Sequence, residues 1–227
     1  MSFFNHPITI AAAIALIILI TIPLLSYVLI VEWFSIQNRI FRFDDLTGLY
    51  DRRSLRIKIQ HRLKHKTIGQ LHRQDNRILD AFVLIDLDCF KQVNDTYGHP
   101  CGDQLLSHIS EVLKSNIRST DIIGRLGGDE FVIYLPHIKT ISNVKTKVSR
   151  ITNAVSSSLS QVPQWKHVTF SIGIALAPRD GSDFDRLYER ADIALYEAKK
   201  AGKNQAVIYG SNLCSTLDGS NLRGTLN

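Results

Sequence analysis

The chain has 227 residues, and 27 basic against 21 acidic side chains leave a formal charge of +6 at neutral pH. An excess of that size suits anionic partners but is too mild to argue for a nucleic-acid binder. Three cysteines, Cys89, Cys101 and Cys214, show no CxxC pairing and no ligand-like spacing with histidine, which speaks against a disulfide scaffold or zinc site and fits free thiols in a reducing compartment.

Residues 1–31 carry no Asp, Glu, Lys or Arg. Ile8 to Val31 is an uncharged run of 24 residues, and a bilayer core needs roughly 20 helical ones. A secretory signal would bring a basic start, a shorter apolar core and a small-residue cleavage site. Met1-Ser2-Phe3-Phe4-Asn5 is uncharged and no A-x-A site follows, so 8–31 is expected to be an uncleaved transmembrane helix. Arg39, Arg42, Arg52 and Arg53 follow it, and only His6 precedes it. The positive-inside rule then gives a single-pass protein of the inner membrane with its downstream part in the cytoplasm. With only residues 1–7 ahead of the span, no extracytoplasmic domain is expected.

Residues 32–44 read as a helical connector. Trp33, Ile36, Ile40 and Phe43 recur as a short a/d seam, which suits a stalk pairing two protomers or an amphipathic helix packed on its own domain. From Arg52 to Arg73 there are eight Lys or Arg, three His and no acid, with Leu55, Ile59 and Leu63 on one helical face. That exterior suits attraction to anionic inner-membrane lipid or plain solvation. Screening acts over roughly 8 Å and favours solvation, unless the stalk folds back.

Roughly 170 residues remain for one domain with a real core. Ala81 to Leu87 is a continuous apolar run and predicts a buried strand. A helix is expected from Asp103 to Ile117, a hairpin over 122–135, a helix from Ser142 to Leu159 and a strand from His167 to Ala177. A helix from Asp183 to Ala201 follows, with Gly202 as its C-cap, then a strand from Gln205 to Tyr209. Residues 211–227 are polar and expected to be disordered. The order predicts an α+β palm on a ferredoxin-like β-α-β-β-α-β core, with a mostly antiparallel sheet and helices on one main face.

Gly127-Gly128-Asp129-Glu130-Phe131 places two carboxylates on the glycine tip of the hairpin. A second acidic pair, Asp86 and Asp88, ends the first strand. Two such clusters suggest hard divalent ions and a phosphorylated substrate, with Asp86 and Asp129 holding two Mg²⁺. Lys91, Lys199 and Lys203 are candidate phosphate ligands. Asn94 and Asp103 bracket a turn. Asp103 could accept the N1–H and N2–H₂ donors of guanine, or simply cap a helix before Leu105.

Residues 45–209 resemble the GGDEF family of diguanylate cyclases. The resemblance rests on six segments in order: Asp45 to Arg53, Asp86 to Asp95, Gly98 to Asp103, Arg125 to Phe131, Ser171 to Ala175, and Ala191 to Lys199. It implies a domain over 45–210 that condenses two GTP into cyclic di-GMP and two pyrophosphates, between the two halves of a homodimer. By position, the resemblance makes Asp86, the Leu87 carbonyl, Asp129 and Glu130 the Mg²⁺ site, in which Mn²⁺ could substitute. Glu130 either assists the metal or deprotonates the 3′-hydroxyl. Asn94 and Asp103 would read guanine, and Lys91, Lys199, Lys203 and the backbone at Cys89 and Phe90 would hold phosphates. Arg118-Ser119-Thr120-Asp121 is similar to the family's RxxD product-inhibition site, with Arg150 as a second arginine, although an i, i+3 surface ion pair has the same spacing.

Cys89 and Asp51 depart from common family residues without removing a ligand. The basic stretch Lys64 to Asn76 is an addition. A turnover-deficient nucleotide receptor and a cyclase making another cyclic nucleotide are the competing readings. The intact acidic cluster opposes the first, and Asp103 opposes an adenine base.

Overall fold

The computed structural model describes residues 7–70, 79–210 and 214–216. It divides into two compact units, Met1–Arg42 and Phe43–Asn227.

The first unit is helix α1, Pro7–Ile40. Ala11–Trp33, 23 residues of mean hydropathy 2.9, is long and apolar enough to cross a membrane, and none of it is buried in protein. The hydroxyls of Thr21 and Ser26 donate back to the carbonyls of Ile18 and Pro23, which satisfies them inside an apolar helix. The helix runs through most of the expected connector and stops at Ile40. Phe43, expected as the fourth seam residue, therefore lies past the helix end and stacks on Tyr50 at 5.1 Å. The side chains of Ile36 and Ile40 lie outside the described residues.

The second unit begins with α2, Arg52–Gln70, whose face Leu55, Ile59 and Leu63 is buried as the spacing predicts. Part of the basic stretch, 71–78, lies outside the described residues. Then come β1 (Leu79–Asp88), α3 (Phe90–Tyr97), α4 (His99–Ser115), β2 (Ile122–Gly127), β3 (Glu130–Ile138), α5 (Ile141–Leu159), β4 (Thr169–Ala177), α6 (Phe184–Lys200), β5 (Gln205–Ile208) and β6 (Cys214–Thr216). The sheet order is β2-β3-β1-β4-β5-β6. β1 is central and antiparallel to both β3 and β4. Among the described strands only β4 and β5 pair in parallel. Within the tail expected to be disordered, Cys214–Thr216 pairs with β5 as an edge strand, and the rest of the tail lies outside the described residues.

The helices cover both faces of the sheet rather than one. Val83, Ile85 and Leu87 of β1 join Leu105, Ile109 and Leu113 of α4 and Val144, Val148 and Ile151 of α5 in one core. Phe82 and Leu84 join Leu55 and Ile59 of α2 and Phe184, Leu187 and Leu195 of α6 in a second core. The physical reason is legible in β1 itself. A strand with one wet face alternates, whereas Ala81 to Ile85 is apolar at every position and needs cover on both sides.

Two helical starts also differ from expectation. α3 is a separate eight-residue helix with Val93 buried, and α4 begins at His99, with Gly98 as its N-cap and a proline in its first turn. Asp103 therefore sits inside α4, and the reading of it as an N-cap falls.

Candidate active site at the end of the central strand

The C-terminal end of β1 collects the acidic residues. Asp86 lies opposite Glu130 in the β1–β3 ladder and opposite Ser171 in the β1–β4 ladder. The hairpin tip is made by Gly127 (φ +138°) and Gly128 (φ +54°), a left-handed path that puts Asp129 on the turn and Glu130 at the start of β3. Lys199, in the last turn of α6, places its Nζ 2.8 Å from Asp86 Oδ2.

Electrostatics mark these groups as a coupled set. Burial pushes the Asp86 carboxyl above its ordinary value. Lys199 opposes this, and the nearby charges of Asp129 and Asp88 add to it. Burial also raises Glu130, reinforced by Asp86 and Asp129. Carboxylates that resist ionising together are short of positive charge. Their hard oxygens suit Mg²⁺, which takes one or two carboxylates and draws its remaining ligands from water and phosphate. Among the described residues no three His, Cys, Asp or Glu side chains are grouped so as to hold a metal ion by themselves.

Asp88 does not join this set. Its side chain turns to β4, where Thr169 Oγ1 and Ser171 Oγ each donate to it at 2.8 Å, and the Asn204 N–H donates at 3.2 Å.

Beyond β1 the chain turns through Cys89 (φ +66°) into α3, so Phe90 and Lys91 occupy the first turn of that helix. Free N–H groups at a helix start suit phosphate. Lys91 is exposed. The α3–α4 hairpin brings Asn94 beside Gly102, while the exposed Asp103 lines a surface pocket with Ser107, His108 and Trp165. A Cβ on Gly102 would come 1.9 Å from Asn94 Oδ1, so only glycine lets the amide sit there. That Oδ1 is buried without a hydrogen-bond partner. Lys203 follows α6 in a left-handed turn, with its N–H bonded to the Ala198 carbonyl at 3.1 Å.

Sequence reasoning missed what holds the hairpin tip. Arg125 Nε and Nη2 donate to the Gly128 carbonyl at 2.9 and 2.8 Å, and Nη1 donates to both oxygens of Asp44 at 3.0 and 3.2 Å. Asp44 also accepts from Thr47 N and Oγ1 at 2.9 and 2.7 Å. Burial works to raise the Asp44 carboxyl. The bonds from Thr47 and Arg125 outweigh it and hold the group below its ordinary value. A carboxyl depressed on folding adds stability above its ordinary pKa, and that stability is lost as pH falls through the lowered one. Arg125→Ala is therefore expected to cost about 1–2 kcal/mol at neutral pH and to flatten the acid side of the stability profile, as read by thermal melts across pH.

The Arg118–Asp121 segment lies at the far end of β2, whose six residues span about 20 Å. The i, i+3 side-chain ion pair is not the arrangement found. Asp121 Oδ2 accepts the Arg118 backbone N–H at 2.8 Å and pairs with Lys147 Nζ at 2.7 Å, with the Asp121 side chain 1 % exposed. Arg150 donates to the Asn116 carbonyl at 3.1 Å. Arg118, His137, Lys147 and Arg150 line one cavity of about 380 Å³. Lys147 escaped sequence reading, although it lies one helical turn before Arg150 on α5.

A family model described as "Diguanylate cyclase, GGDEF domain" matches residues 41–205. The chain belongs to the GGDEF family of diguanylate cyclases. Protein YtrP of Bacillus subtilis is 38% identical over 175 residues, covering 77% of this chain and 27% of that one. The diguanylate cyclase DosC of Escherichia coli is 33% identical over 171 residues, covering 75% of this chain and 35% of that one. The match thus spans about a third of these relatives' length or less. The crystal structure of the GGDEF domain of DgcB from Caulobacter crescentus, in complex with c-di-GMP, is similar with a TM-score of 0.64 and 28% identity, covering 74% of this chain and 96% of that one. Within the GGDEF domain, then, one end of β1 carries the acidic cluster and the far end of β2 carries the basic cavity.

Proposed function

We propose that the chain is a membrane-anchored diguanylate cyclase that condenses two GTP into cyclic di-GMP and two pyrophosphates. The observation that carries this is the facing pair Asp86 and Glu130, with Asp129 on the adjoining turn and Lys199 against Asp86. Asn94 and Asp103 receive guanine, Asp103 as acceptor for the N1–H and N2–H₂ donors of the base. Lys91, Lys199, Lys203 and the amides at Cys89 and Phe90 hold the phosphates. Bound Mg²⁺, two per site, would neutralise the triphosphate and acidify the attacking hydroxyl.

Each chain holds one GTP, so a second copy must face it. Each 3′-oxygen bonds to the opposite α-phosphorus and pyrophosphate leaves. Glu130, which faces Asp86 across the β1–β3 ladder, either assists the metal or takes the hydroxyl proton. Pairing in the homodimer is assigned to the α1 connector, and α1 holds the enzyme in the inner membrane with its GGDEF domain cytoplasmic.

The deciding experiment incubates the full-length chain, purified as a dimer and stripped of product, with GTP and Mg²⁺. Cyclic di-GMP is expected, and its absence sinks the reading. Fractionation of cells should place the chain with membranes. Arg118, Asp121 and Arg150 are proposed to bind product and restrain the enzyme. Arg118→Ala is expected to raise the product concentration for half-inhibition at least about tenfold with little change in initial rate. An unchanged inhibition curve would reject the assignment.

A further inference from the structure

The two segments assigned to the phosphates are far apart in sequence. One is Cys89 to Lys91, directly after β1. The other is Lys203, between α6 and β5. Asp88 touches both. It is the residue immediately before Cys89, and its Oδ2 accepts the N–H of Asn204, immediately after Lys203, at 3.2 Å. The same oxygen accepts from Thr169 Oγ1 and the other from Ser171 Oγ, both on β4 and both at 2.8 Å. Asp88 is buried to 3 % exposure, so these donors satisfy a charged group that water hardly reaches.

The turn it grips is not one the chain would hold unaided. Gly202, Lys203 and Asn204 all have positive φ (+113°, +65° and +46°), and the second and third are not glycines. Consecutive left-handed L-residues are disfavoured and persist where the surroundings fix them. Lys203 N–H bonds Ala198 O at 3.1 Å and the Gln205 amide donates to the same carbonyl at 2.7 Å, which ties the turn to α6. Only the Asp88 bond ties it to β1 among the contacts described.

We propose that Asp88 is a positioning residue that locks the Lys203 turn to the end of β1, setting Lys203 and the Cys89–Lys91 amides at a fixed spacing across the phosphates. It rests on the reading of this site as a GTP site. Acting through the turn, it touches neither metal nor nucleotide. The clamp requires an acceptor facing the Asn204 N–H rather than a charge. An asparagine can supply that oxygen, with its NH₂ donating to Ser171 Oγ, since a hydroxyl can accept as well as donate.

The test uses the full-length chain and 3′-deoxy-GTP, which cannot react, beside guanosine, which lacks phosphates. Asp88→Ala is expected to weaken 3′-deoxy-GTP binding at least about tenfold and to leave guanosine binding unchanged. Asp88→Asn should stay within about threefold of the wild type. The double variant Asp88→Ala with Lys203→Ala should bind 3′-deoxy-GTP no more weakly than Lys203→Ala alone. Additive losses, equal losses for guanosine, or an Asp88→Asn as weak as Asp88→Ala would each overturn the proposal. If the wild type binds 3′-deoxy-GTP and Asp88→Ala binds it equally well, this proposal alone fails. If the wild type binds none, the GTP reading fails and takes the proposal with it.

Discussion

Asp86→Asn is expected to lower cyclic di-GMP formation at least about a thousandfold while leaving the fold intact. The side chain keeps its shape, so the packing of β1 against β3 and β4 is unchanged. The variant loses one anionic oxygen of the set that also includes Asp129 and Glu130 and, on the proposed reading, weakens the hold on the ion that neutralises the triphosphate. Stability should move the other way. A carboxyl whose folded pKa is raised favours the fold below its ordinary pKa, and that contribution is lost as pH rises through the folded value. At neutral pH without divalent ions the ionised Asp86 therefore weighs against the fold, and the asparagine variant should melt no lower than the wild type. A variant that loses activity and also melts several degrees lower would show Asp86 to be structural instead.

Gly173→Ala is expected to be the most destabilising single methyl in the domain, at about 3 kcal/mol or more. A Cβ there would lie 1.9 Å from the Ala191 carbonyl oxygen and 2.5 Å from the Leu195 nitrogen, both backbone atoms of α6. Neither can swing aside as a side-chain tip would, so α6 must lift from β4. For a domain of this size that is a fall of about 6–12 °C in melting temperature, readable by calorimetry. The same lift carries Lys199 away from the whole end of β1, phosphates included, so any residual folded protein should be inactive. A melting temperature within a degree of wild type would show that the sheet yields instead.

Much of the site was legible in the sequence because its residues come in local runs. A glycine tip followed by two acids fixes a turn chemistry, and an apolar run ending in Asp86 fixes a strand end. What escaped depended on partners distant in the chain. Asp44 meets Arg125 across 81 positions and Lys147 meets Asp121 across 26, and no periodicity announces either pair. Asp88 carried the same acidic signal as Asp86, yet β4 and the Asn204 N–H claim it. The two-sided cover of the sheet was recorded in β1 but passed over, because a helical face shows what it buries and not which side of a sheet it takes. The start of α4 was misjudged because Gly98 and Pro100 open the helix ahead of the apolar positions that announced it.

Lys199 gives the acidic site an internal counter-ion. Its ammonium sits on Asp86 where a divalent ion would otherwise be attracted, so the carboxylate is not presented bare. On the proposed reading, the phosphates that draw Lys199 away vacate Asp86 in the same exchange. Two ligands that each release what the other needs must strengthen one another equally. The site then fills with nucleotide and metal as a pair, and an ion arriving alone competes with a lysine the protein already holds in place.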